Sequence, residues 1–149
     1  LGVDAMSITS LYTRAHASAA ITAVEEVVRG CGSDMPVTIS LSVSPSRGAL
    51  RNDWITRLNL PDGMTMGLNC CEGPGNLLPV AEIMADRYGP LHLAPSAGLP
   101  ARDGTYPYGA EAWAEAVEQL AEQVPLVSIG ACCGCTPDYA EQARSRIDS

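Results

Sequence analysis

Short apolar segments alternate with amphipathic ones along this whole chain, and that alternation limits the folds open to it. Asp4 to Leu11 reads as a buried strand of modest strength. Ala17 to Arg29 reads as a helix with Ala20, Ile21, Val24 and Val28 on one face. Val37 to Val43 alternates apolar and hydroxyl residues, as a strand does. A loop over Ser44 to Gly48 follows, then a short helix over Asn52 to Leu58 carrying Trp54, and a turn at Pro61-Asp-Gly63. Met64 to Asn69 is the next strand. Asn76 to Tyr88 is a helix with Leu77, Val80 and either Met84 or Ile83 inward, and Pro79 is tolerated in its first turn. Leu91 to Ala94 is a strand and Arg102 to Tyr108 a polar loop. Ala110 to Val124 carries the strongest helical stripe, through Trp113, Ala116, Val117, Leu120 and Val124. Its glutamates lie mostly off that stripe and read as a solvated face. Leu126 to Gly130 is the last strand and Pro137 to Ile147 the last helix.

Strand followed by helix, about five times over, requires right-handed crossovers and a parallel sheet. No internal boundary divides the 149 residues, so one domain over 1–149 is expected. A closed (β/α)8 barrel needs about 250 residues. The expected fold is therefore α/β: either an open doubly wound sheet or the later part of a barrel, with the first strands supplied from elsewhere. The chain begins at Leu1, which fits a fragment or a processed product.

Two strand ends carry thiols. Met66-Gly-Leu-Asn-Cys-Cys-Glu-Gly-Pro74 places Cys70 at the end of one strand, and Val127-Ser-Ile-Gly-Ala-Cys-Cys-Gly-Cys-Thr-Pro-Asp138 places Cys132 and Cys133 at the end of another. Gly130 and Gly134 bracket the second cluster and allow sharp turns. Thr136, Pro137 and Asp138 suit a helix start. The carboxyl ends of parallel strands are where such folds bind ligands. Cys70, Cys132 and Cys133 are thus the candidate metal ligands. Three thiolates suit Zn²⁺, and three protein ligands leave a fourth position for a substrate thiol. A closed structural site, with Cys71 or Cys135 as fourth ligand, is the competing arrangement. Cys31 reads as a small buried apolar residue. Trp54 and Trp113 read as core, and His16 and His92 as satisfied core or surface histidines.

The net charge of −8 excludes nucleic acid and anionic membrane as main partners. No membrane span or leader is visible. Clustered thiols without secretory features point to a reducing cytoplasm.

Three motifs carry a resemblance. Gly67-Leu-Asn-Cys70 with Gly73-Pro74, Ala94-Pro-Ser-Ala-Gly-Leu-Pro100 and Gly130-Ala-Cys-Cys-Gly-Cys-Thr-Pro137 resemble, in order, the strand-end, loop and signature motifs of the homocysteine S-methyltransferase family, nearest its cobalamin-dependent methionine synthase branch. The resemblance implies a (β/α)8 barrel of which this chain covers the fourth to eighth strands. It also implies a zinc-dependent methyltransferase of methionine biosynthesis, with homocysteine as acceptor and a cobalamin-bound methyl as donor. It implies Cys70, Cys132 and Cys133 as zinc ligands and Asn69, Ser96 and Thr9 as substrate-binding positions. The chain departs from the family where Thr9 and Thr13 replace two carboxylates and Ser96 replaces an Asn. Those departures support an alternative, a non-catalytic zinc-binding subunit that completes a barrel with a partner chain.

Overall fold

The computed structural model describes residues 3–30, 32, 34–44 and 53–148. The expectations for Cys31, for Asn52 and for most of the Ser44–Gly48 loop lie outside them. The strands are β1 (Met6–Leu11), β2 (Val37–Leu41), β3 (Met64–Cys70), β4 (Leu91–Pro95) and β5 (Leu126–Ile129). The helices are α1 (Arg14–Gly30), α2 (Leu78–Tyr88), α3 (Ala110–Gln123) and α4 (Pro137–Ile147). Every pairing is parallel, and the spatial order is the chain order, β1-β2-β3-β4-β5.

That order decides between the two expected architectures. A doubly wound sheet reverses direction at a switch point. Here the sheet always grows the same way, and crossovers of one hand then place their helices on one face. The architecture is a partial (β/α)8 barrel. No helix among the described residues is long and apolar enough to cross a membrane.

The two faces of the sheet differ as this topology requires. Val37, Ile39, Leu41, Met66, Leu68, Leu91 and Leu93 are buried in one core with Ile21 and Val24 of α1 and Val80 and Met84 of α2. The opposite face is small and polar: Ser40, Gly67, His92 and Ser128 lie in one register row across four strands. His92 Nδ1 and Ser128 Oγ are 2.8 Å apart, so His92 is satisfied within the sheet. Burial holds its pKa below the ordinary value. Gly67 has no room for a side chain, since a Cβ there would sit 2.9 Å from the His92 carbonyl oxygen. Gly67→Ala is expected to destabilise the protein by about 1–3 kcal/mol in urea unfolding, as overpacking against backbone does. An unchanged midpoint would show that the row is loosely packed.

Several expectations need correction. β1 is mostly exposed, because it sits at a sheet edge with a strand on one side only. The helix expected over Asn52–Leu58 is one 3₁₀ turn, Asp53–Thr56, held to α2 by Tyr88, whose hydroxyl donates to Ile55 O at 2.8 Å and accepts from Leu58 N at 3.1 Å. The helix expected from Asn76 starts at Leu78, after a 3₁₀ turn at Pro74–Asn76. Met84 faces the core and Ile83 is 40% exposed. In α3 the buried alanine is Ala114 and Ala116 is only half-buried, while Trp113, Val117 and Leu120 are buried as expected. Trp54 is only partly buried.

Candidate metal centre

The centre forms where three strands end. The loops after β3, β4 and β5 are tied by backbone bonds. Ser96 N–H donates to Cys70 O at 3.1 Å, Cys132 N–H to Pro95 O at 3.1 Å, and Ala97 N–H to Cys133 O at 2.9 Å. Ser96 Oγ adds a second bond to Cys70 O at 3.2 Å. These bonds bring together cysteines more than sixty residues apart.

The thiols meet with metal-binding geometry. Cys70 Sγ and Cys133 Sγ are 3.7 Å apart, and Cys132 Sγ and Cys133 Sγ 3.8 Å. All three sulfurs lie within 4.8 Å of one another. Disulfide-bonded sulfurs would be about 2 Å apart. A tetrahedron with metal–sulfur bonds of about 2.3 Å has an edge of about 3.8 Å. The trio therefore fits a metal of the size and softness of Zn²⁺. No other group of His, Cys, Asp or Glu among the described residues offers such a site.

Local backbone makes this possible. Gly134 has φ +81, and Tyr106 lies so close that a Cβ at Gly134 would be 2.5 Å from its ring. Gly130 acts differently from the expected turn-former: its φ is not in the left-handed region, and a Cβ there would meet the His92 ring only at an ordinary contact distance of 3.4 Å. After β3 the chain is left-handed at three successive non-glycine residues, Cys70, Cys71 and Glu72, with φ of 64, 52 and 66. Thr136 precedes α4 without capping it, because its hydroxyl bonds the Asp138 carboxylate.

Cys71 and Cys135 do not join the trio. Cys71 is buried, with Sγ 3.0 Å from Asn69 O. Cys135 Sγ turns to Pro95 O at 3.8 Å. The trio keeps an open side, since Cys133 is exposed and, with Cys70, borders a cleft of about 570 Å³. Tyr12, Ser44, Glu72, Leu99 and Tyr106 also line it. Ser96 lines it too, but its hydroxyl is engaged with Cys70 O and Gly98. Asn69 is 3% exposed and reaches across the sheet to Ser10, accepting from its N–H at 3.0 Å; its Nδ2 also lies 3.5 Å from Cys70 Sγ. Thr9 is exposed on β1 and is not among the described residues that line the cleft. Glu72 and Tyr106 were not singled out by sequence reading. A glutamate beside two cysteines was the available signal for the first, and nothing marked the second.

Burial and mutual contact separate the thiols electrostatically. Cys70 is pushed up to about 12, first by burial and then by the bond and charge of Cys132. On Cys132 burial acts upward too, but hydrogen bonds from Cys70, Cys133 and Asn69 outweigh it and hold the thiol below its ordinary value. The first proton thus leaves Cys132 and a second resists leaving. A bound dication must displace the Cys70 proton, so metal affinity should rise with pH. Cys70 alone contributes about tenfold per pH unit, so we expect a rise of at least about that much between about pH 6 and 9, in competition with a chromophoric chelator. Affinity independent of pH would exclude Cys70 as a ligand.

The comparison with known families agrees with this geometry. The family model for homocysteine S-methyltransferase matches residues 1–147. That match covers nearly the whole chain, and the protein belongs to the homocysteine S-methyltransferase family.

Proposed function

We propose that this chain carries the acceptor half of a zinc-dependent thiol methyltransferase, with homocysteine as acceptor and methionine as product. The observation that carries the reading is the Cys70–Cys132–Cys133 trio, open on one side to the cleft. When bound there, Zn²⁺ would supply Lewis acidity that keeps an acceptor thiol ionised near neutral pH. The chain's own part is positional. Cys70, Cys132 and Cys133 hold the metal, the backbone bonds between the loops fix the three sulfurs, and the cleft leaves room for the acceptor. Asn69 supports Cys70 from behind by its Nδ2 contact. Asn69, Ser96 and Thr9 remain the proposed substrate-side positions; Ser96 borders the cleft. For the donor we propose a corrinoid-bound methyl, supported by the resemblance of the Ala94–Pro100 loop.

We further propose that 1–149 supplies the fourth to eighth units of the barrel. The support is that, among the described residues, β1 and β5 each pair on one side only. A groove of about 630 Å³ along β5, lined by Val127, Ile129 and Trp113, is where a further strand would lie. A second reading, a non-catalytic zinc subunit within a two-chain barrel, is favoured by the same open edges. Homogeneous, fully active monomer would sink it.

X-ray absorption at the zinc edge tests the main reading. We expect three sulfurs and a light atom in the resting protein, rising to four sulfurs with homocysteine, and methionine formation with methylcobalamin once the remaining strands are supplied. Four sulfurs from the outset, unchanged by homocysteine, would rule the reading out.

A further inference from the structure

We infer that Glu72 is the specificity-determining residue of this cleft, accepting the ammonium group of the acceptor while the thiol end sits at the cysteines. The inference rests on the acceptor reading above. Among the described residues lining the cleft, Glu72 is the one charged side chain. Cys70 and Cys133 line the same space. A ligand that presents sulfur to the trio and lies along this cleft meets a carboxylate, and the complementary ligand chemistry is an aminothiol. Tyr12 and Tyr106 also border the space, and aromatic faces tolerate a cation.

The backbone gives the second reason. Position 72 has φ 66, and it ends a run of three left-handed residues. Glycine would hold that conformation without penalty, and glutamate does not. Disfavoured backbone of this kind gathers at sites where a side chain must be aimed. Ser44 fixes the aim, since its hydroxyl donates to Glu72 Oε1. On the inner side of the turn, Cys71 is buried against the carbonyls of Asn69 and Leu41. The turn therefore sends one side chain into the core and the next to the cleft wall.

The test compares two thiols on the zinc-loaded chain. Homocysteine and 4-mercaptobutyrate share the thiol and the carboxylate, and only homocysteine carries the ammonium. Binding is titrated by calorimetry, with zinc-edge absorption confirming the added sulfur. We expect homocysteine to bind about tenfold tighter in the wild type, as a charge-assisted hydrogen bond in a partly desolvated site allows. In Glu72→Gln that ratio should fall to about one through loss of homocysteine affinity. Glu72→Gly should abolish the ratio equally while relieving the left-handed strain, so a folding defect cannot mimic the result. A wild-type ratio near one, or a ratio that survives both substitutions, overturns the assignment and leaves the zinc–thiol reading standing. Failure of both thiols to add sulfur to zinc overturns the zinc–thiol reading, and this assignment falls with it.

Discussion

Cys132→Ala should lose its zinc. Elemental analysis after dialysis against a weak chelator is expected to fall from about one zinc per chain to near none, with affinity down by on the order of a thousandfold or more. The reason is geometric. Three sulfurs spaced at about a tetrahedral edge would hold the ion together, and removing one leaves two thiols and no third such ligand within reach among the described residues. Cys71 cannot swing in, because its sulfur is buried and bonded to Asn69 O. Cys135 is tied by its backbone to Cys132 O at 3.1 Å and points to Pro95. Cys71→Ala and Cys135→Ser should therefore keep zinc, and the three variants together separate an open site from a closed one. Zinc retained by Cys132→Ala but lost from Cys71→Ala would show that the wrong trio has been assigned.

The second large effect concerns Trp113. Its side chain is fully buried, it meets Tyr139 edge-on at 5.8 Å, and its Nε1–H donates to Ser96 O at 3.2 Å. Trp113 thus joins α3 and α4 to the loop that also grips Cys70. Trp113→Ala is expected to cost about 3–5 kcal/mol in urea unfolding of the metal-free protein, the range for emptying a large aromatic site. That is a large share of a stability of about 5–15 kcal/mol. Trp113→Phe keeps most of the volume and loses the bond to Ser96, so about 1 kcal/mol is expected. The two variants should also differ at the metal, since only a collapse of the loop moves Ser96 off Cys70 O. Equal costs for Ala and Phe would show that the hydrogen bond, not the packing, dominates.

Much of this was legible in the residues. The strands from Met64 and Leu91, the helix Ala110–Gln123 and the helix Pro137–Ile147 all follow from periodicity and breakers, because burial of one face writes its period into the chain. The cysteine trio was legible too, since in parallel α/β units the residues just past strands end at one edge of the sheet. The exposure of β1 was not legible, because the same apolar run serves a central or an edge strand and only its neighbours decide. Nor was the role of Ser10, which takes φ 62 at a bulge in β1 and receives Asn69 from β3, fifty-nine residues away.

The sequence by itself determined the alternation of elements, the family, and which thiols stand at strand ends, since each of these is a property of spacing along the chain. Only the tertiary structure decided the sequential strand order, the exclusion of Cys71 and Cys135 from the trio, and the setting of Glu72 and Tyr106 on the cleft that Cys70 and Cys133 border. Those depend on where loops from different strands meet and on which way a side chain leaves a left-handed turn. Spacing along the chain does not contain that information.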